Sequence, residues 1–299
     1  MKIGVIMGGI SSERDISLKS GEQVIKNLNK DKYEEIIPII INSKNEVIEK
    51  VKEIDFAFIA LHGRFGEDGT IQGVLETMSI AYSGCGVLCS AICMNKGLTK
   101  RLLQSIGVNT ASWITVKSKE DINYKKLKEI GYPVFIKPNN GGSSIATFFI
   151  KREADVEEAV INALNYDDEV IIEKYVEGQE ITSFVLNGEV FPTVVIKANK
   201  GEFFDYKSKY EENGANEEVS FLEKSLQEKI NCISKKVWNL LGCKSYARID
   251  MIISNNIPYV LEVNTLPGMT TASLIPKSAE ARGYNFSELL DKIIEYSLA

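Results

Sequence analysis

The chain has 299 residues, 44% of them hydrophobic, and its 41 acidic and 35 basic residues give a net charge of −6. Because both signs of charge are mixed along the whole length without a basic block, nucleic acid is not expected as a principal partner. The longest apolar run, residues 36–41, is too short to span a bilayer and the first residues are not typical of a signal peptide, so we expect a cytoplasmic protein with no membrane partner.

The side chains that bind transition metals are few. Five cysteines, an odd number, fit a reducing compartment. Cys85, Cys89 and Cys93 recur at every fourth position, but no neighbouring histidine or fourth cysteine completes a zinc set, which favours small buried thiols. His62 is the one histidine of the chain, which excludes any site that requires two.

The first elements follow the pattern of an open α/β sheet, with strands over residues 2–7, 35–41 and 55–60. A glycine loop and a helix follow the first strand, but the dinucleotide-binding fingerprint G-x-G-x-x-G and the Walker lysine are absent. Glu13 lies near the start of that helix. It either faces a ligand at the carboxyl end of the strand or only interacts favourably with the helix dipole as an acidic residue of the first turn. His62 follows the third strand in a glycine-rich loop, where it is either structural or faces a ligand.

The middle of the chain predicts a helix over residues 88–106, a strand over 112–116 and a helix over 121–130. The next strand ends at Lys137 and runs into the loop Gly141-Gly142-Ser143-Ser144. The N–H groups of such a loop close around phosphate oxygens and the lysine adds a point charge, although a plain hairpin tip has the same composition.

A strand over residues 169–176 then carries Glu173 and leads to Glu180. These two carboxylates bracket a bend whose backbone is free to meet an adenine edge, with Glu180 within reach of a ribose hydroxyl. The alternative is a pair of surface carboxylates. Strands over 180–186 and 190–196 follow, then a polar aromatic segment that is a cover over a site or an exposed loop, and a helix over 223–241.

Two strand-like segments, residues 245–253 and 258–263, are joined by a turn and predict a β-hairpin. Helices are predicted after it, near residues 271–281 and 286–296. Strand alternation places Arg248 and Asp250 on one face, and Glu262 and Asn264 on one face. Asp250 lies opposite Glu262 only if the connection holds an odd number of residues. The result is an oxygen-rich ligand set for a hard cation such as Mg²⁺; the alternative is a surface ion pair beside a solvated strand end.

These pieces together resemble the D-alanine–D-alanine ligases of the ATP-grasp superfamily over essentially the full length. The resemblance is carried by seven motifs in one order: Met7-Gly8-Gly9-x-Ser11-x-Glu13-Arg14; Ala60-Leu61-His62-Gly63 with Gly66-Glu67-Asp68-Gly69-Thr70; Ile136-Lys137-Pro138 with Gly142-Ser143-Ser144; Glu173-Lys174-Tyr175; Lys209-Tyr210; Arg248-Ile249-Asp250; and Glu262-Val263-Asn264-Thr265-x-Pro267-Gly268-Met269-Thr270. One departure is Ile145-Ala146, where the family usually has Val-Gly.

The resemblance implies an α/β, three-domain ATP-grasp fold. An N-terminal open parallel-sheet domain (1–85) would precede two α+β domains that sandwich ATP, the central one (86–176) and the catalytic C-terminal one (177–299). The implied reaction joins two D-alanine molecules through an acyl phosphate, with ATP as substrate, two Mg²⁺ or Mn²⁺ ions and a homodimeric assembly. The nearest alternative is a sister ligase that makes D-alanyl-D-lactate or D-alanyl-D-serine, against which Tyr210 favours an amine acceptor. A nucleotide-binding regulator without turnover would be expected to lack some of these residues.

The resemblance also implies roles for individual residues. Those at ATP are Lys96, Lys137, Gly142, Ser143 and Ser144 for the phosphates, Glu173, Lys174 and Val176 for adenine, and Glu180 for ribose. Those at the two metal ions are Asp250, Glu262 and Asn264. Among the amino-acid-binding residues, Glu13 would bind the ammonium of the first D-alanine and, through Ser143 and Tyr210, tie the N-terminal domain to the two closing loops, and His62 would lie beside this substrate. Arg248 and the Gly268 N–H would stabilise the tetrahedral centre. Ser273 and Leu274 would receive the second carboxylate, and Lys209 is a further substrate-binding residue.

Overall fold

The computed structural model describes residues 1–198, 215–220 and 222–299. Lys209 and Tyr210, and the polar aromatic segment around them, lie outside the described residues. Three sheets organise the part of the chain that is described: a parallel sheet, a four-stranded antiparallel sheet and a six-stranded antiparallel sheet. None of the helices in these ranges is long and apolar enough to cross a membrane.

The first sheet is parallel, in the order β2-β1-β3-β4, as the open α/β pattern predicts. Its strands are β1 (Lys2–Gly8), β2 (Glu35–Ile41), β3 (Phe56–Ile59) and β4 (Ala81–Tyr82). The helices are α1 (Arg14–Asn27), α2 (Val47–Lys50), which follows a 3-10 turn at Lys44–Glu46, and α3 (Thr70–Thr77). Because β1 and β3 are buried on both faces, their continuous apolar runs are those of internal parallel strands.

The second sheet, which we call the central sheet, is antiparallel in the order β5-β8-β6-β7. Its strands are β5 (Trp113–Val116), β6 (Val134–Pro138), β7 (Phe148–Ile150) and β8 (Val170–Lys174). The helices in this part of the chain are α4 (Val87–Met94), α5 (Lys96–Ser105), α6 (Tyr124–Ile130) and α7 (Val156–Leu164), with 3-10 turns at Lys119–Asp121 and Glu153–Asp155.

The prediction of one helix over residues 88–106 is wrong, because Asn95 divides it into α4 and α5. Asn95 has an extended backbone, and its Oδ1 accepts a hydrogen bond from the Leu98 N–H at 2.8 Å. This is an N-cap, which an asparagine favours because its side chain satisfies an N–H that has no partner within the helix. The break makes Lys96 the first residue of α5.

The third sheet, the C-terminal sheet, has the order β12-β11-β9-β13-β14, with β10 paired to β9. Its strands are β9 (Gln179–Leu186), β10 (Glu189–Val190), β11 (Val194–Ala198), β12 (Ala215–Val219), β13 (Tyr246–Ser254) and β14 (Ile257–Asn264). The helices are α8 (Lys224–Leu241), α9 (Leu274–Ala281) and α10 (Phe286–Leu298). The strand predicted over 190–196 is therefore divided between β10 and β11.

The hairpin of β13 and β14 pairs Asp250 with Glu262, as predicted, but not through an odd connection. The turn has two residues, Asn255 and Asn256, both with positive φ, which is the geometry of a tight hairpin turn. An even turn alone would place Glu262 on the wrong face, and a register shift beyond Asp250 leaves Leu261 as an extra residue. This β-bulge restores the pairing and brings Leu261 and Glu262 to the same cavity.

The cysteine prediction is confirmed in one respect and wrong in another. Cys85, Cys89 and Cys93 are buried, but a fourth thiol does join them, since Cys243 Sγ lies 3.7 Å from Cys89 Sγ. These two residues are 154 positions apart in the chain, so local spacing gave no sign of the contact.

The apolar core of the first sheet continues into the C-terminal part of the chain. Phe184, Tyr246 and Leu266 pack with the side chains of β1 and β3, as do Leu290 and Ile293 of α10. The hydroxyl of Ser245 donates to the Ile293 carbonyl at 3.1 Å. This shared core fixes the loops that follow β1 and β3 beside the loop that follows β14.

Candidate active site

A cleft lies between the central and C-terminal sheets and is lined by residues of both. Its walls are formed by β6, β8 and the loop after β6 on one side and by β13 and β14 on the other. The predicted residues that line it are Lys96, Lys137, Gly142, Ser143, Ser144, Glu173, Lys174, Val176, Glu180, Asp250 and Glu262. A smaller side cavity continues from it past Lys96 and Glu262 to Glu67 and Asn264.

Two lysines meet one carboxylate at the back of the cleft. Glu173 Oε1 lies 2.5 Å from Lys137 Nζ, and Glu173 Oε2 lies 2.9 Å from Lys100 Nζ, outside hydrogen-bond geometry. Glu173 is 3% exposed and Lys100 is 1% exposed, so the charges depend on each other for compensation. The Glu173 carboxylate therefore holds lysines, and any contact it makes with adenine would come from its backbone.

Burial and neighbouring charge move the pKa values of these groups in different directions. Burial would raise the pKa of Glu173, but the charges of Lys100 and Lys137 lower it to about 2. Burial lowers the pKa of Lys100 despite Glu173. Burial by itself would lower the pKa of Lys137. The negative charges of Glu173 and Glu262 outweigh it and raise this pKa above its usual value. Lys137 is thus kept as a cation facing the cleft.

The Glu173 cluster predicts a loss of stability in acid. Since the folded pKa of about 2 lies below the ordinary 4.5, the contribution is fully present above pH 4.5 and is lost as the pH falls towards 2. Between about pH 6 and pH 3 the loss is roughly 2 kcal/mol in the free energy of unfolding.

The substitution Glu173→Gln should remove this acid dependence and cost about 3–5 kcal/mol at neutral pH, because it leaves two buried ammonium groups without their carboxylate. Denaturant titrations of both proteins across this pH range measure the difference. Glu177→Gln, at an exposed position near by, is the control and should match the parent. Equal acid dependence in the parent and in Glu173→Gln would contradict the assignment.

Lys96 stands at the junction of the two cavities. Its Nζ lies 3.8 Å from Glu262 Oε2 and donates a hydrogen bond to the Gly141 carbonyl. Burial lowers the pKa of Lys96, and the charge of Glu262 opposes this shift. The ammonium group is therefore held between the glycine–serine loop and the carboxylate of β14.

Asp250 is the centre of a hydrogen-bond network on the hairpin. Arg248 binds it as a fork, with Nε 2.9 Å from Oδ1 and Nη2 2.8 Å from Oδ2. Asn264 Nδ2 donates to Oδ2 at 2.9 Å, and the Thr182 hydroxyl donates to Oδ1. Asp250 is 6% exposed, so Arg248 and Asp250 are not the surface ion pair of the alternative interpretation.

The oxygen atoms of this network are of the type that Mg²⁺ prefers. Asp250 and Glu262 are directly paired across the two strands, and Arg248 is paired with Asn264. Because Asn264 uses its Nδ2 toward Asp250, Oδ1 is left as the acceptor of its amide. Both Asp250 oxygens accept from protein donors, so a metal ion bound to Asp250 would replace one of these donors.

The loop after β6 approaches the first sheet. A Cβ built at Gly142 would lie 3.0 Å from Glu13 Oε1, so glycine allows the loop to pass beside this buried carboxylate. Ser143 and Ser144 have φ of 52° and 56°, and Ala146 has φ of 52°. Three left-handed residues within four positions bend this loop sharply, and the backbone N–H groups of such a bend are candidates for contacts with phosphate oxygens.

Ala146 is strained at its position, because a Cβ makes the left-handed region unfavourable by about 1–2 kcal/mol. The substitution Ala146→Gly should therefore raise the free energy of unfolding by about 1 kcal/mol, measured by denaturant titration. Ala159→Gly, within α7, is the control, and it should lower stability by about 1 kcal/mol. A loss of stability in Ala146→Gly would show that the strain is absent.

His62 ties the first sheet to the loop after β14. Its Nδ1 lies 3.1 Å from the Leu266 carbonyl and its Nε2 lies 3.1 Å from the Ser20 hydroxyl. Because a carbonyl only accepts, Nδ1 carries the proton, and the Ser20 hydroxyl donates to Nε2 in the neutral ring. Glu13, His62 and Glu67 place ligand atoms within 4.8 Å of one another, so the three side chains form one polar group at the carboxyl ends of β1 and β3.

The predicted acceptor residues precede and begin α9. Ser273 is the N-cap of this helix, and its Oγ accepts from the Thr270 N–H at 3.1 Å. Leu274 is 8% exposed and packs with Val194 and Ile196, so a role in binding a carboxylate would rest on its backbone N–H. A Cβ at Gly268 would lie 3.3 Å from Ser273 Oγ, which places these two predicted residues side by side.

The other residues predicted to bind adenine and ribose, Lys174, Val176 and Glu180, also line the cleft. Lys174 Nζ donates to the carbonyls of Gly131 and Tyr132 at 3.2 and 2.9 Å, which anchors the end of β8. Val176 and Glu180 lie where β8 passes into β9.

Sequence reasoning missed three residues at the site: Lys100, Thr182 and Glu67. Lys100 follows Lys96 by one helical turn, and this i, i+4 spacing could have indicated that both lie on the same face of α5. Thr182 is paired with Asp250 only through the order of the strands, which the sequence does not give. Glu67 belongs to the motif Gly66-Glu67-Asp68-Gly69-Thr70, but the resemblance implied no role for it.

Comparison with known proteins identifies the family. The model of the D-ala D-ala ligase C-terminus matches residues 102–295, and that of the D-ala D-ala ligase N-terminus matches residues 2–50 and 42–85. The chain belongs to the D-alanine–D-alanine ligase family. It is 55% identical over 299 residues to D-alanine–D-alanine ligase B of Clostridium perfringens, covering 100% of this chain and 98% of that protein.

Solved structures of D-alanine–D-alanine ligases and of a sister ligase share the fold. The Bacillus anthracis D-alanine–D-alanine ligase complexed with ATP has a TM-score of 0.91 at 46% identity, covering 100% of this chain and 97% of that one. The VanG D-Ala:D-Ser ligase of Enterococcus faecalis has a TM-score of 0.85 at 30% identity, covering 99% of each. The predicted ATP-grasp fold is therefore confirmed.

Proposed function

We propose that this chain joins two D-alanine molecules to D-alanyl-D-alanine, with ATP converted to ADP and phosphate, as a step in peptidoglycan precursor synthesis. The observation that supports it best is one cleft in which Lys96 and Lys137 face the carboxylates of Asp250 and Glu262. The 55% identity to a D-alanine–D-alanine ligase across the whole chain supports the same reaction.

ATP would lie with its base between the central and C-terminal sheets and its phosphates toward the hairpin. The backbone near Glu173, Lys174 and Val176 would meet adenine, and Glu180 would meet the ribose. Lys96, Lys137 and the N–H groups of the loop Gly142–Ser144 would contact the phosphates, where preorganised cations stabilise transferring charge.

Asp250, Glu262 and Asn264 would hold two Mg²⁺ or Mn²⁺ ions, and the oxygen donors described above fit that role. The ions would supply charge neutralisation at the phosphates. Within the chain, Arg248 and Asn264 donate hydrogen bonds to Asp250, and Lys96 lies 3.8 Å from Glu262. The cationic groups of Arg248 and Lys96 compensate these two carboxylates in the partly buried site.

The chemistry requires activation of a carboxylate, which is a poor acyl donor. ATP would phosphorylate the first D-alanine to D-alanyl phosphate, and the amine of the second would displace phosphate through a tetrahedral centre. Arg248 and the Gly268 N–H would stabilise the oxyanion of that centre, as positioned donors do. Glu13, beside Gly142, would bind the ammonium of the first D-alanine, and the nearby loop would keep water from the acyl phosphate.

The second substrate would bind near Ser273 and the backbone of Leu274. The roles of Lys209 and Tyr210 stay predictions, because both lie outside the described residues. The first sheet would contribute His62, whose ring is fixed by Leu266 and Ser20 on either side.

The alternative function, a ligase that makes D-alanyl-D-lactate or D-alanyl-D-serine, is tested by substrate comparison. ATP-dependent phosphate release should be highest with D-alanine alone, and addition of D-lactate or D-serine should give little mixed product by mass spectrometry. L-alanine should give no release. More mixed product than D-alanyl-D-alanine at neutral pH would overturn the assignment.

The domain division at residues 85 and 176, a cytoplasmic location and a homodimer stay predictions. The core of the first sheet includes side chains of α10, from the last part of the chain.

A further inference from the structure

Lys100 is a buried charged residue that the proposed mechanism does not use. Its side chain is 1% exposed, and it lies in α5 one helical turn after Lys96. Its Nζ donates to the Thr110 hydroxyl at 2.8 Å and to the Ala111 carbonyl at 3.2 Å, and lies 2.9 Å from Glu173 Oε2. Because burying an ammonium group is costly, a lysine that does not line the cleft needs another explanation.

The neighbours of Lys100 show that it carries its charge. The Thr110 hydroxyl donates its own hydrogen to the Val260 carbonyl at 2.8 Å, so it can only accept from Lys100. Together with the carbonyl and the Glu173 carboxylate named above, it provides three acceptors, which matches the three hydrogens of an ammonium group. The centroid of the Trp113 ring lies 5.4 Å from Nζ, a contact that also favours a cation.

Glu173 lies between Lys100 and the lysine of the cleft. Its Oε1 is 2.5 Å from Lys137 Nζ, while its Oε2 is the oxygen beside Lys100. Glu173 and Lys137 alone would form a neutral pair, but the group has two cations and one carboxylate. One positive charge is therefore left in excess, and Lys137 is the lysine of the two that lines the cleft.

We propose that Lys100 is a positioning residue for phosphate binding: it holds the Glu173 carboxylate and balances its charge, so that the charge of Lys137 stays available to the phosphates of ATP. This inference rests on the proposed function, which places Lys137 at those phosphates. Without Lys100 the carboxylate would pair with Lys137 alone and neutralise it. Because Thr110 also bonds to Val260 of β14, Lys100 is anchored to both walls of the cleft.

Nucleotide binding by the full chain tests the proposal without turnover. Lys100→Met removes the charge, and the variant should fold because Glu173 keeps Lys137 as its partner. We expect it to bind a non-hydrolysable ATP analogue with Mg²⁺ about 10-fold more weakly by isothermal titration calorimetry, since the group loses its excess charge. The affinity for adenosine, which has no phosphate, should match the parent's. An equal loss of affinity for both ligands would reduce Lys100 to a structural role and overturn the proposal.

A second substitution tests the balance of charge. Lys100→Met combined with Glu173→Gln again leaves one positive charge in excess, so this double variant should recover most of the analogue affinity that Lys100→Met loses. Lys119→Met, which breaks an exposed ion pair with Glu157 of the same 2.9 Å length, is the matched control and should bind as the parent does. Equal analogue affinity in the parent and in Lys100→Met, or a double variant that binds no more tightly than Lys100→Met, would contradict the proposal.

Turnover separates this inference from the proposed reaction. The kcat for phosphate release with D-alanine should fall about 10-fold in Lys100→Met, less than the loss of a donor in direct contact with the reacting atoms, and should recover in part in the double variant. A parent that binds the analogue but forms no D-alanyl-D-alanine would overturn the proposed function. The analogue affinities of the variants would still decide the role of Lys100.

Discussion

The substitution Glu262→Gln should lower kcat about 10³-fold while the protein stays folded. Glutamine keeps the size of the side chain but removes the charge that would bind a metal ion, and with it the transition-state stabilisation that the ion supplies. The Glu262 carboxylate lies 3.8 Å from Lys96, and Glu262 is paired directly with Asp250 across the two strands. Asp250 is the one other carboxylate of the hairpin, so it cannot replace the lost charge at this position. Phosphate release at saturating ATP and D-alanine measures the loss.

Dependence on metal concentration separates this explanation from a general disturbance of the cleft. In Glu262→Gln the concentration of Mg²⁺ that gives half-maximal rate should rise, and excess Mg²⁺ should restore part of the activity. Glu177→Gln, at an exposed position, should keep the parent's rate and Mg²⁺ dependence. A Glu262→Gln protein with the parent's rate at ordinary Mg²⁺ would remove this residue from the proposed metal set.

The substitution Arg248→Lys should lower kcat by about 10²–10³ with a much smaller effect on the KM for ATP. A lysine keeps the charge but offers a point donor in place of the planar fork, which binds both oxygens of Asp250 at 2.9 and 2.8 Å. Loss of one well-placed donor to an oxyanion costs a factor of this size. Steady-state kinetics with ATP and D-alanine varied separately measure the two effects.

Arg152→Lys is a matched control, because Arg152 forms the same kind of fork with Asp155, at 3.0 and 3.1 Å, on an exposed surface. It should leave kcat and both KM values unchanged. If Arg248→Lys raised the KM for ATP while kcat stayed the same, Arg248 would bind the nucleotide rather than stabilise the tetrahedral centre.

The hairpin shows which parts of the site the sequence predicts. Strand alternation alone places Arg248 and Asp250 on one face, whereas the Asp250–Glu262 pairing was a hypothesis that also required a particular length of the connection. The bulge at Leu261 was not predictable from parity, because a two-residue turn and a bulge together give the same pairing as an odd turn. The alternation of side chains is a property of a single strand, whereas the bulge depends on the length of the turn that joins the two strands.

Contacts between distant segments explain the other differences. Cys243 joins the α4 cysteines across 154 residues, and Thr182 meets Asp250 across 68. Neither leaves a periodic pattern in the sequence. The division of the predicted helix at Asn95 was a local event, but asparagine within an otherwise helical pattern becomes a cap only when the chain on either side changes direction, as it does here beside Asn140.

Isotope transfer tests the central claim most directly, namely that this cleft activates a carboxylate by phosphorylation. D-alanine labelled with ¹⁸O in its carboxylate is incubated with ATP, Mg²⁺ and the chain in unlabelled water, and the released phosphate is analysed by mass spectrometry. Passage through D-alanyl phosphate predicts one labelled oxygen in each phosphate released. Phosphate without label, formed at the same rate as D-alanyl-D-alanine, would contradict it.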